Sequence, residues 1–149
     1  PLLQGAIGSL VYSLDVLFIS QFGLSVPNAV GFSAVVFQNS SWYLANLGTV
    51  TFPLNVWNTF ISPGLEAIDF AKVAGAGPST PNFSSSGGVI EFGFASSNGS
   101  CCGGENTVTS GADNFSVTFN PLTIPEPGTV ALFGIGLAGL SLARRKRVA

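Results

Sequence analysis

Side chains able to carry chemistry are few in this sequence and stand apart from one another. There is no histidine. Serines are numerous, yet no base accompanies them, and Ser-Lys chemistry would have to recruit Lys72 without a supporting motif. Glu66 and Asp69 are spaced i, i+3, so on a helix they can face each other. Such a carboxylate pair suits acid–base hydrolysis of a glycosidic bond, but two solvated acids at a helix start satisfy the same pattern. Glu105 and Asp113 are loop acids able to serve calcium, although EF-hand spacing is absent. Cys101 and Cys102 are the only cysteines, adjacent within Asn98-Gly99-Ser100-Cys101-Cys102-Gly103-Gly104. Neighbouring Cα atoms sit only ~3.8 Å apart across a trans peptide, so a bridge between them needs a strained ring. A vicinal disulfide, intermolecular bridges and free thiols are all compatible with this loop. A closed metal site is not expected, because two thiolates lack histidine partners. Trp42, Tyr43 and Trp57 offer rings for a sugar platform, though most aromatics belong in a core. In an extended chain Trp42 and Tyr43 point oppositely, so one of them can be exposed. This inventory reads as non-enzymatic, with no cofactor and no metal.

Composition narrows the partners. Charged residues make up 8% of the chain, against about 25% in an average soluble protein. Glycine, serine, threonine and asparagine fill the rest, so the surface is polar through hydroxyls and amides. The net charge of −2 hides an asymmetry: residues 1–127 hold one cation, Lys72, against seven acids, a net −6. Such a surface has no means of tracking phosphates, which excludes nucleic acid as a partner. With Pro1 first and no methionine, the chain reads as N-terminally incomplete, its leader missing. Residues 1–8 lack the basic flank of a signal peptide. Four Asn-x-Ser triplets, at Asn39, Asn82, Asn98 and Asn114, are close to chance in so Ser- and Asn-rich a chain.

The elements that must position these groups are short strands. Leu10, Tyr12, Leu14, Val16 and Phe18 alternate with more polar residues, a period-2 pattern with one apolar face. Gln21 to Asn28 reads as a turn. Val30, Phe32, Ala34 and Val36 form a second strand, broken by Asn39-Ser40-Ser41, and Trp42 to Leu47 is ambiguous. Thr49 to Trp57 predicts a strand with Pro53 at an edge or bulge. Ser62-Pro63 predicts a short helix to about Val73, with Ser62 as N-cap. Val89 to Ala95 is a strand with Val89, Glu91, Gly93 and Ala95 on one face. Ser96 to Asp113 reads mostly as loop, with a short strand around Val108, and Phe115, Val117 and Phe119 mark the last strand. These elements predict an all-β antiparallel β-sandwich, with a jelly-roll as the alternative, and one short helix.

The C-terminal stretch has a different grammar. Pro125-Glu126-Pro127 holds the backbone extended and cannot continue a helix from upstream. Gly128 to Ala143 carries no charge, and its 16 residues as a helix would cover ~24 Å, slightly short of the ~30 Å hydrocarbon core. Snorkelling cations or bilayer thinning can close that gap. Arg144, Arg145, Lys146 and Arg147 then act as a stop that stays on the cytoplasmic side, leaving residues 1–127 across the membrane. Gly134-Ile135-Gly136-Leu137-Ala138-Gly139 spells a dinucleotide fingerprint, but no acid follows it; small residues in a span let a partner helix approach.

Proline motif, weak span and basic end, in that order, resemble the PEP-CTERM tail, the sorting signal read by exosortases in Gram-negative and some other bacteria. The resemblance covers residues 124–149. It implies export, transient anchoring in the inner membrane, cleavage by exosortase near Pro125-Glu126-Pro127, and release or attachment at the cell surface. Proteins with this tail often accompany exopolysaccharide and biofilm production. The expected organisation is an exported sandwich domain (1–120), a linker with the motif (121–127), a transmembrane helix (128–143) and a basic cytoplasmic tail (144–149). The expected function is structural or adhesive, at the cell surface or in the extracellular matrix. Exosortase and the membrane are the expected partners, with extracellular polysaccharide beside them. A carbohydrate-binding module using Trp42 or Tyr43 is the alternative, and a secreted hydrolase using Glu66 and Asp69 is a third.

Overall fold

The alternation from Leu10 to Phe18 becomes the central strand β1 (Ile7–Gly23) of the computed structural model, which describes residues 6–23, 29–51, 53–99 and 106–122. Successive side chains point to opposite faces of a strand, and Leu10, Tyr12, Leu14, Val16 and Phe18 are all fully buried. The remaining strands are β2 (Ala29–Gln38), β3 (Ser41–Val50), β4 (Trp57–Ile61), β5 (Ala71–Ala74), β6 (Ile90–Gly99) and β7 (Asn106–Pro121). All pairings are antiparallel, in one sheet of order β4-β1-β7 and another of order β5-β3-β2-β6. The apolar row of β1 meets Val30, Phe32, Ala34 and Val36 of β2 and Tyr43, Ala45 and Val50 of β3 in two adjoining clusters. The core therefore lies between the two sheets, filled from the inner faces of both.

The β2–β3 hairpin turns at Asn39 and Ser40, with φ of 49° and 58°. Two left-handed residues in a two-residue loop match the twist of the flanking strands. Gly75 packs beneath this turn at φ +100°, where an added Cβ would collide with the Ser40 carbonyl. Pairing of Phe37 with Trp42 and Val35 with Leu44 resolves the ambiguous stretch after Trp42 as strand.

Three sequence expectations are corrected. The strand expected over Thr49–Trp57 ends at Val50, and β4 begins at Trp57. Between them Asn55 adopts φ 58° and its N–H donates to the Phe18 carbonyl, so the chain turns instead of continuing a ladder. Pro53, which has no N–H to donate, lies in this bend. The helix expected from Ser62 is absent; only a 3₁₀ turn, Ala67–Asp69, forms. Ser62 Oγ accepts from the Tyr12 N–H at 2.9 Å, and Leu65 exchanges both backbone bonds with Leu10. Those groups would have been the first turn of the helix, and β1 has claimed them. Finally, Ser96–Asp113 is largely strand, as β6 runs to Gly99 and β7 starts at Asn106. In β6, Ser96, Ser97, Asn98 and Gly99 are exposed edge-strand positions, so they carry no apolar alternation.

Among the described residues no helix is long and apolar enough to cross a membrane. The expected span, residues 128–143, lies outside them, as do residues 24–28 of the expected turn.

Candidate functional site

Pro125, Glu126 and Pro127, the basic stop Arg144, Arg145, Lys146 and Arg147, the pair Cys101 and Cys102, and Glu105 all lie outside the described residues. The structure does describe the root of the tail. β7 ends at Pro121, paired with Ile7 at the start of β1, and the Leu122 N–H donates to the Ala6 carbonyl at 3.0 Å. Pro125 is the fourth residue beyond Pro121. Extended chain spans at most ~3.6 Å per residue, so the four-residue step from Pro121 to Pro125 can reach at most ~14 Å and the six-residue step to Pro127 at most ~22 Å.

The outer face of the four-stranded sheet holds a second candidate. Cross-strand register sets Glu91, Phe37, Trp42 and Ala74 in one row, with Gly93, Val35 and Leu44 in the next. These residues, with Val73 and Ala95, line an open groove of about 500 Å³. Trp42 is 48% exposed and its ring lies 4.5 Å from that of Phe37, tilted by 42°. Gly93 leaves the floor open, since an added Cβ would approach only Val35, at 4.0 Å. Tyr43 is a different matter: it is buried, and its hydroxyl donates to the Pro78 carbonyl at 3.2 Å. Its expected role as a glycan contact is therefore corrected. In an extended β3, adjacent rings point to opposite faces, and only Trp42 faces out.

The acids are dispersed. Asp69 Oδ2 accepts from the Glu66 N–H at 2.8 Å, so this carboxylate is engaged at the start of the 3₁₀ turn. Asp15 and Asp113 are opposite one another on β1 and β7. Asp15 accepts from Asn114 Nδ2 at 2.7 Å and from Thr59 Oγ1 at 2.6 Å. Those two donors, Asn114 foremost, hold its carboxyl below the ordinary aspartate range. Lys72 is committed through its ammonium to the Gly77 carbonyl. Among the described residues no three of His, Cys, Asp and Glu come together as metal ligands. Trp57 is 52% exposed on the other sheet, with its ring close to Gly111.

The groove brings together residues that sequence reasoning had left apart. Glu91, Gly93 and Ala95 share one face of β6 and were legible as such; that Phe37 and Trp42 would lie beside them depends on the pairing of β2 with both neighbours. Gln38, a buried polar residue that organises a loop, has no sequence signal beyond its polarity; Ser41 reads in sequence as a strand breaker and Ser62 as a helix N-cap, and both are instead buried hydrogen-bond acceptors, of the Gly77 and Tyr12 N–H groups.

A family model described as the PEP-CTERM protein-sorting motif matches residues 123–147. No curated protein matches the chain. No solved structure matches it either.

Proposed function

We propose that the chain is an exported bacterial protein whose C-terminal tail is a temporary anchor, cut near Pro125-Glu126-Pro127 by an exosortase. Residues 128–143 serve as the span, and Arg144–Arg147 as its cytoplasmic stop. The observation that carries this reading is the match of the sorting motif to residues 123–147, directly after the end of β7. The short tether supports it further, since the motif stays close to the folded domain and just outside the span. The domain itself, two antiparallel sheets around a shared core, suits a β-sandwich with a structural or adhesive role at the cell surface or in the matrix.

The test is the intact mass of the protein recovered outside the cell. A C-terminus near Pro127, together with retention of the full-length form when the host lacks its exosortase, is the expected result. Recovery of extracellular protein that still carries Arg144–Arg147 would refute processing.

A second reading, a carbohydrate-binding module for matrix polysaccharide, is favoured by one observation: Trp42 presents about half of its surface in a groove on the outer face of the four-stranded sheet.

A further inference from the structure

We propose that the groove on the outer face of the β5-β3-β2-β6 sheet binds a cationic glycan, an amino-sugar oligomer or polymer with free amines. A sugar ring stacks on Trp42 and Phe37 while an ammonium lies at Glu91. The proposal rests on the carbohydrate-binding reading and gives it a site and a ligand class.

The first argument is shape. Ligand sites are concave, mostly apolar, and carry a few polar groups that set orientation. This groove fits that description, with a floor of Val35, Leu44 and Gly93 and a wall of Trp42 and Phe37. A pyranose has the complementary surface: one face of C–H groups for the rings and floor, and a rim of polar groups.

The second argument is charge. Glu91 is the only ionisable side chain in the lining, and it is exposed without an ion-pair partner among the described residues. Lys72, the lone cation of residues 1–127, belongs to the adjacent β5 but is held by the Gly77 carbonyl. A groove with a carboxylate, two aromatic rings and no cation attracts an ammonium through both Coulomb and cation–π terms. The same field, with −6 over residues 1–127, repels uronate or sulfated polymers. It also disfavours a second copy as occupant, because that copy brings no free cation from those residues and would strip water from Glu91 uncompensated.

The third argument is spacing. Glu91 on β6 and Trp42 on β3 are separated by β2 alone. Two strand intervals of ~4.8 Å put them ~10 Å apart across the sheet. A ring on Trp42 and an amine on the next sugar of the same chain span that distance.

The test uses the full chain with Trp57→Phe, which leaves Trp42 as the sole tryptophan of the original two. Its emission is titrated at mildly acidic pH with a short glucosamine oligomer, its N-acetylated counterpart, and an oligolysine of equal charge. The expected result is saturable binding of the glucosamine oligomer, with the other two at least about tenfold weaker. Glu91→Gln should weaken binding about tenfold, the scale of one ~1.4 kcal/mol charge contact. Gly93→Leu, which fills the floor and leaves the Trp42 and Glu91 side chains chemically unchanged, should abolish it while leaving the circular dichroism unchanged. Equal binding of both sugars with no effect of Glu91→Gln would overturn the cationic ligand while leaving the carbohydrate reading standing. Equal binding of oligolysine would overturn the glycan. Binding of neither sugar would sink both the proposal and the reading beneath it, and would not touch tail processing, which the mass measurement decides alone.

Discussion

Replacing Gln38 by glutamate changes one terminal group and leaves the size of the side chain as it was, yet it should remove much of the stability of this domain. Gln38 is 2% exposed. Its Nε2 donates to the Asn82 carbonyl at 2.9 Å and to the Gly87 carbonyl at 2.6 Å, and its Oε1 accepts from the Asn82 N–H at 2.7 Å. The backbone groups dictate the amide's orientation, since two carbonyls require the NH₂ and one N–H requires the oxygen. In Gln38→Glu the second carboxylate oxygen faces those two carbonyls, acceptor against acceptor. Two hydrogen bonds are lost at ~1 kcal/mol each, and a buried charge is left against the negative ends of two dipoles, so the loss at neutral pH is ~3–5 kcal/mol. Domains of this kind have ~5–15 kcal/mol in total, and a midpoint drop of ~15 °C is the corresponding thermal readout.

The pH dependence separates this cause from simple loss of packing. Burial and the facing carbonyls raise the pKa of the new carboxyl in the folded state above its unfolded value of ~4.3. A group with a raised folded pKa supports the fold fully below the unfolded pKa and loses that support as pH rises to and through the folded value. The deficit of the variant relative to the natural chain should therefore shrink as pH falls from 7 towards 4, because a protonated acid can donate to one of the two carbonyls again. Urea unfolding of both proteins at each pH measures it. A deficit below ~1 kcal/mol at pH 7, or one that stays constant down to pH 4, would refute the reasoning.

Tyr12→Phe removes the bond from the buried phenol to the Val35 carbonyl, 2.9 Å long, and should cost ~1–2 kcal/mol in the same unfolding assay. Burial also pushes the Tyr12 phenol well above the ordinary tyrosine value, so the stability it contributes is intact below pH ~10 and declines above it; the Phe variant should lack that alkaline decline. Asp15 should titrate below ordinary aspartates in a carbon-detected NMR experiment, and Asn114→Ala or Thr59→Val should each move it up, Asn114→Ala more. Its carboxylate is fully exposed, so Thr59→Val should not shift the acid unfolding midpoint noticeably, whereas Asn114→Ala also carries a pH-independent cost, because Asn114 stands at φ 51° where alanine is strained.

How far the residues announced the fold depends on what claims each backbone group. β1 and β2 were legible because their inner faces are unbroken apolar alternation, Leu10 to Phe18 and Val30 to Val36, and a period of two admits one register against a core. The helix expected at Ser62-Pro63 failed for a non-local reason: Ser62 and Leu65 satisfy Tyr12 and Leu10, partners about fifty residues away on the buried inner row of β1, and that pairing outweighs the local helix signal. β7 was half hidden because Ser110, Gly111 and Asn114 lie on an exposed edge strand, where the pairing with β1 decides the conformation and side-chain polarity does not. The groove was legible in pieces. Exposure of either Trp42 or Tyr43 follows from strand geometry, but which of the two faces out is set by β3 burying its other row against β1 and β2.

The two candidate regions meet at one end of the molecule. Ile7 pairs with Pro121, from which the tail departs, and the Ile7 N–H donates to the Phe83 carbonyl at 2.9 Å. Asn82, its neighbour, is gripped by Gln38, and Gln38 sits beside Phe37 at the end of β2 where Trp42 and Glu91 flank the groove. Residues 78–87 thus form a strap from the tail's root to the groove's rim, pinned by Tyr43, Gln38 and Ile7. If the tail anchors the domain as proposed, a short tether would hold this end near the bilayer, where a large polymer has little access, and cleavage at Pro125-Glu126-Pro127 would free it. Sorting and the proposed ligand binding would then come in sequence, with the groove open to a polymer only after the anchor is gone.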